Sequence, residues 1–237
     1  MMLCKIAELI TEIPEAGGLA PRCQAYLWEG KEKADITIRT ELFSSECYPE
    51  GMDKESIEYM ETGKQFYCSL IFYEGSMLHA SAVELDGKAY LFSGDSGAGK
   101  STHTKLWQTV FGESAIVFND DKPALRCVDG KWYAYGTPWC GKDNINVNHK
   151  VPLAGICFMK KADHNQIRRL SKSEALIKLL PQVPHRYRYA ENQERAVSIL
   201  GRLIDQIPVF ELENRPEPDA VRLSYSTMWK AAKEMAL

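Results

Sequence analysis

The most constraining feature of this chain is one stretch, "YLFSGDSGAGKSTHTKLW", from Tyr90 to Trp107. An apolar run stops at Gly94, small and polar residues follow, and then come Lys100 and two hydroxyl residues. Gly94 to Ser101 fits the spacing GxxxxGK[ST], which needs a strand before it and a helix after it. In such a loop the backbone amides point inward at the positive end of the helix and meet phosphate oxygens there. Gly94, Gly97 and Gly99 permit backbone angles and close approaches that a side chain would block. The residues expected to line a nucleotide are Gly94, Asp95, Ser96, Gly97, Ala98, Gly99, Lys100, Ser101 and Thr102. Lys100 is the point charge for the β- and γ-phosphates, and the Ser101 hydroxyl is a magnesium ligand.

The flanks carry further chemistry. "MLHASAVEL" and "AYLFSG" are joined by Asp86-Gly87, a strong hairpin signal. A helix is predicted over "STHTKLWQTVFG", with Leu106, Trp107 and Val110 on one face and Gly112 as its C-cap. "AIVFNDD" then reads as a buried strand returning to the same sheet edge and ending in Asp120 and Asp121. One of these carboxylates can hold magnesium, and the other can accept a proton from an attacking hydroxyl. The same residues also read as an ordinary turn, because Asn, Asp and Pro favour turns. His79, one hairpin strand before the loop, can orient a carboxylate beside it. In the polar connection "YGTPWCGKDNINVNHKVPL", Lys142 is the candidate cation on the far side of the transferring phosphoryl group.

Composition excludes several classes. Lysine and arginine number 29 against 32 acids, a net charge of −3, which gives no electrostatic case for nucleic acid or a membrane surface. No apolar stretch approaches the roughly 20 residues of a membrane span, and the N-terminus does not read as a signal peptide. The seven cysteines are scattered without a CxxC pair, which predicts reduced thiols and a cytoplasmic protein.

The expected organisation is α/β. Residues 1–75 read as a small N-terminal α+β subdomain, with "QAYLW", "DITIRTELF" and "FYCSLIFYEG" as strands. Residues 76–237 read as the catalytic domain, with a second hairpin at Asp129-Gly130, a buried strand "PLAGICFMKK" and a strand "PVFEL". Helices are predicted over "SKSEALIKLL", "ENQERAVSILGRLIDQI" and "YSTMWKAAKEM". The basic, aromatic "HRYRYAENQER" reads as a substrate-side lid or a helix-capping loop.

"LHASAVELDGKAYLFSGDSGAGKS" followed by "IVFNDD" resembles the catalytic domain of HPr serine kinase/phosphorylase, a family that shares its core with the phosphoenolpyruvate carboxykinases. The resemblance implies a P-loop-containing mixed sheet flanked by helices. It covers Met77 to Asp121 and extends to about Leu223. It implies an ATP- and magnesium-dependent kinase in which Asp120 is the base, assisted by His79, while Asp121 and Ser101 serve Mg2+ and Lys100 the phosphates. The acceptor it implies is a serine-type hydroxyl on a protein, peptide or small molecule, and a homo-oligomer is compatible with it. Two other readings stay open: a nucleotide-binding regulator or assembly module that transfers nothing, and a carboxykinase-like lyase.

Overall fold

Residues ahead of the glycine loop depart most from expectation. A computed structural model of the chain describes residues 1–15, 18–43, 48–184 and 190–235. A hairpin of β1 (Met2–Ile6) and β2 (Leu9–Ile13) opens it, turned by Ala7 and Glu8, both at positive φ. β3 (Ile36–Thr37) joins parallel to β2; the rest of "DITIRTELF" includes a 3-10 turn at Thr40–Leu42. "QAYLW" is not a strand. It ends a 3-10 segment, Ala20–Tyr26, and only Leu27 bridges to Cys4. "FYCSLIFYEG" is not a strand either: it is the last turn of α1 (Lys54–Ser69) followed by a 3-10 turn, Leu70–Tyr73. Asp53 starts that helix by accepting the Ser56 N–H at 2.8 Å. The buried residues then fall at 66, 67, 70 and 71, which is helical spacing that a short apolar run conceals.

The remainder follows the predicted rhythm. β4 (Gly75–Met77), β5 (Ala80–Leu85) and β6 (Lys88–Ser93) lead into α2 (Lys100–Phe111), and β7 (Ile116–Asn119) returns from it. β8 (Ala124–Val128) and β9 (Lys131–Tyr135) form the second hairpin. The long β10 (Lys150–Lys161) precedes β11 (Gln166–Arg169), a short edge strand with no apolar alternation to announce it. α3 (Lys172–Leu179), α4 (Ala190–Gln206), β12 (Val209–Asn214) and α5 (Pro218–Met235) complete the chain. Residues 185–189, which open the basic stretch read as a lid or cap, lie outside the described residues.

Nine strands form one mixed sheet in the order β4-β8-β9-β10-β6-β5-β7, with β12 on β10 and β11 on β12. β10 is its hub. Its first residues pair antiparallel with β9, and from Leu153 it runs parallel to β6, with an irregularity between Leu153 and Gly155, and from Ile156 parallel to β12. Both faces of the centre are covered, so the strands read as near-continuous apolar runs. Ala82 and Leu91 pack in a cluster with α3 and α4, while Val83, Tyr90 and Phe92 pack with α2 and α5. A third cluster joins β1, β2 and α1 to Ala124, Tyr135 and Trp139 of the β8–β9 region. Polar contacts cross there too: Tyr135 Oη donates to Glu8 at 2.7 Å, and Arg126 Nη1 to the Ala7 carbonyl at 2.6 Å. Among the described residues no helix is long and apolar enough to cross a membrane.

Candidate functional site

Strand pairing assembles the site. The tight β5–β6 hairpin sets Ala80 opposite Ser93, so His79 and Gly94 lie at one edge of the sheet. β7 runs antiparallel to β5, and the Ala80 N–H donates to the Asp121 carbonyl at 2.9 Å. The two aspartates therefore arrive at the same edge. Ser93 Oγ ties the corner by donating to the His79 carbonyl at 2.9 Å.

In the glycine loop Gly94, Gly97 and Gly99 have φ of 142°, 80° and 99°. At Gly94 an added Cβ would sit 2.8 Å from the Met159 carbonyl oxygen, so space as well as angle excludes a side chain. α2 begins at Lys100 with no side-chain cap and no acid in its first turn. A cation there opposes the helix dipole by roughly 0.3–1 kcal/mol, so this terminus is built to receive negative charge. Lys100 Nζ folds back onto the carbonyls of Gly94 (2.9 Å) and Asp95 (3.3 Å). Burial lowers its pKa, against the pull of Asp121 and Asp95. Asp95, Ser96, Gly97 and Thr102 are exposed, while Ala98 and Ser101 are half-buried. The Ser101 hydroxyl has no hydrogen-bond partner among the described residues.

Asn119, fully buried, shapes the turn that follows β7. Its Oδ1 accepts the N–H groups of Asp121 (3.1 Å) and Lys122 (2.7 Å), and its Nδ2 donates to the Thr137 carbonyl at 3.0 Å. The turn separates the two aspartates. Asp120 is drawn inward, where its Oδ1 accepts the Gly141 N–H at 2.6 Å and its Oδ2 the Asp143 N–H at 3.2 Å. A Cβ on Gly141 would lie 2.8 Å from Asp120 Oδ2, which explains the glycine. Burial raises the Asp120 pKa, although the two amides work against it.

Asp121 behaves differently. His79 Nε2 lies 3.0 Å from its Oδ1, and Lys122 pairs with its Oδ2. Burial alone would raise its pKa, but the His79 hydrogen bond and the Lys122 charge prevail and hold it at about 2. The pairing expected between His79 and Asp120 is thus corrected: His79 meets Asp121, because the Asn119 turn points the first aspartate at the 141–143 backbone.

Asp121 also faces a cleft of about 810 Å³, lined in addition by Lys122, Lys142, Trp139 and, from α1, Tyr59 and Lys64. Lys142 is exposed and makes no ion pair among the described residues. Its loop is held by Asp120 and by Lys105 of α2, whose Nζ lies 2.9 Å from Asp143 Oδ2. The structure therefore brings together His79, Asp121 and Lys142, sets Lys100 within electrostatic reach, and withdraws Asp120. Sequence reading missed Asn119 and Lys122, although an Asn two residues before an acid is a recognisable side-chain turn. It had no local signal for the α1 wall, because 60 residues and a sheet separate that helix from the aspartates.

A family model described as SynChlorMet cassette protein ScmC matches residues 50–213. No curated protein matches the chain. Among solved structures, the Hpr(Ser) kinase/phosphatase from Coxiella burnetii is similar at 12% identity and a TM-score of 0.36. That likeness covers 67% of this chain and 96% of the other.

Proposed function

We propose, for a chain that belongs to the ScmC family, a magnesium-dependent phosphotransferase that moves the terminal phosphate of a nucleoside triphosphate such as ATP to an alcohol hydroxyl. The observation that carries this reading is the Asp121 carboxylate. It is ionised, buttressed by His79 at 3.0 Å, electrostatically coupled to Lys100, and open to a cleft where an acceptor can sit. A carboxylate that faces both the loop lysine and an acceptor-sized cleft suits transfer better than nucleotide binding alone.

The residues present fit the nucleotide. An uncapped helix start with a lysine in its first turn and three left-handed glycines before it form a cradle for phosphate oxygens. Lys100 exchanges its carbonyl partners for phosphate charge. The Ser101 hydroxyl, unengaged in the structure, is the ligand offered to magnesium, and the metal supplies neutralisation of the phosphate oxygens. Asp121 takes the proton of the attacking hydroxyl as its oxygen bonds to the terminal phosphorus and the β–γ phosphoanhydride bond breaks, leaving the diphosphate. Lys122, turning toward phosphate, removes the lysine charge that helps to hold the Asp121 pKa down and makes it a better base. Asp121 thereby takes the role that the family resemblance suggested for Asp120, and Asp120 positions the loop that carries Lys142.

The test compares Asp121→Asn with Asp120→Asn on γ-labelled ATP and a lysate of acceptors. Asp121→Asn is expected to lose roughly 10²–10⁴-fold in transfer with nucleotide affinity within a few-fold of wild type. Asp120→Asn is expected to keep measurable transfer and to raise the KM for acceptor. A larger loss in Asp120→Asn than in Asp121→Asn would return the base to Asp120. Nucleotide binding with no labelled product in the wild type would favour the regulator reading.

A further inference from the structure

The phosphotransfer reading leaves the acceptor unidentified, and the charge pattern of the cleft narrows it. Four cations line the cleft: Arg22, Lys64, Lys122 and Lys142. Lys64 is neutralised by Glu61 and Lys122 by Asp121. Arg22 and Lys142 have no carboxylate partner among the described residues.

Arg22 is the more telling of the two. It comes from the 3-10 segment Ala20–Tyr26 and is half-buried. Only its Nη1 is committed, to the Cys140 carbonyl at 3.3 Å. Its guanidinium lies over the Tyr59 ring at 5.1 Å, with Lys122 Nζ 5.4 Å from the same ring. Tyr59 is itself fixed, because its Oη donates to the Cys140 carbonyl at 2.8 Å. A guanidinium offers five N–H donors in a rigid fork that matches a carboxylate. Half-exposed, with most of those donors lacking a protein partner among the described residues, it can exchange water for an anion at little cost. The apolar part of the lining includes Tyr67, Trp139, Met60 and Met77. Three acids lie on the lining: Asp121 pairs with His79 and Lys122, Asp53 is spent capping α1 by accepting from Ser56, and Glu55, exposed in the first turn of α1, makes no ion pair among the described residues. The cleft volume of about 810 Å³ suits an organic molecule held whole or one short chain segment.

We infer that this cleft is the acceptor site, and that the acceptor is a hydroxyl compound bearing a carboxylate, gripped by Arg22 and Lys142 with its hydroxyl toward Asp121. The reaction at that hydroxyl rests on the phosphotransfer reading; the binding does not. The segment before the glycine loop then has a function of its own, since Arg22 and Tyr59 recognise what is to be phosphorylated.

The test needs no nucleotide. The full chain is titrated by saturation-transfer NMR with matched pairs of acid and amide: glycolate and glycolamide, lactate and lactamide, 3-phenyllactate and 3-phenyllactamide. At least one acid is expected to bind with a Kd below ~10 mM, and its amide roughly tenfold more weakly. Arg22→Gln should abolish that preference. Lys142→Gln, at an exposed side chain with no fold contacts to lose, should reduce it. Failure of every acid to bind by ~10 mM, equal binding of acid and amide, or an unchanged preference in both variants would each overturn the inference. Lys100→Ala, which disables the nucleotide cradle, should leave these titrations unchanged, so a failed transfer assay and a failed acceptor titration are separate results.

Discussion

Asp120 and Asp121 are adjacent in the chain and opposite in circumstance, and the difference comes from a third residue. Asn119 accepts two successive backbone N–H groups, which turns one carboxylate into the protein and leaves the other at the cleft. Burial decides the state of another polar residue, on α2. His103 of α2 is almost fully buried, its Nε2 lies 3.1 Å from Ser224 Oγ and its Nδ1 has no partner among the described residues. Desolvation lowers its pKa to about 4. Between about pH 6.5 and pH 4 the unfolded chain therefore takes up a proton that the folded chain refuses, and stability falls with pH. At about 1.4 kcal/mol per pH unit this penalty reaches on the order of 3 kcal/mol by the lower limit. Urea denaturation at pH 7 and pH 4.5 should show His103→Gln losing less stability than wild type over that interval. Parallel losses would mean that His103 accepts its proton in place.

At the scale of elements, α1 and the loop after β9 depend on one missing side chain. Trp139 lies against Gly63 of α1, where an added Cβ would be 3.0 Å from its Cδ1. The ring also donates to Thr62 Oγ1 at 3.1 Å and stacks on Phe66 at 4.8 Å between centroids. It cannot move without disturbing both contacts. Gly63→Ala should gain about 1 kcal/mol in helix propensity and lose about 1–3 kcal/mol to overpacking. A net destabilisation on the order of 1 kcal/mol is expected in guanidinium denaturation; a stabilised variant would show that the ring yields freely. The same helix shows where sequence reading stops. Its last turns are an apolar run that fits a strand as well as a helix, and what settles the matter is the burial of Phe66, Tyr67 and Leu70 in the cluster that holds Trp139 and Ala124, while Ile71 enters the cluster beneath α3 and α4. The β5–β6 and β8–β9 hairpins were legible because Asp86-Gly87 and Asp129-Gly130 carry their positive φ angles locally. β11 was not, because Gln166–Arg169 is held in place by its pairing with β12.

For the whole molecule, the β8–β9 hairpin serves two masters. One side of it belongs to the nine-stranded sheet, and the other shares a core with β1, β2 and α1. Removing residues 1–75 would uncover Ala124, Tyr135 and Trp139 and take the partners of Arg126 and Tyr135. The full chain is expected to unfold in a single transition, with tryptophan fluorescence and far-ultraviolet dichroism coinciding. A fragment of residues 76–237 should show no cooperative transition. If that fragment melts cooperatively, the boundary near residue 75 is a true domain boundary.

What the sequence determined by itself was local: the glycine loop between strand and helix, two tight hairpins, a histidine ahead of the loop and paired acids after it. Each depends on backbone angles or spacings that a few consecutive residues specify. Which aspartate faces the cleft, which residue His79 supports, and where α1 and Arg22 stand relative to both were decided only by tertiary structure. Those relations join residues 21 to 118 positions apart. Their energies come from burial and from amides supplied by a distant loop, and no short stretch of sequence contains either.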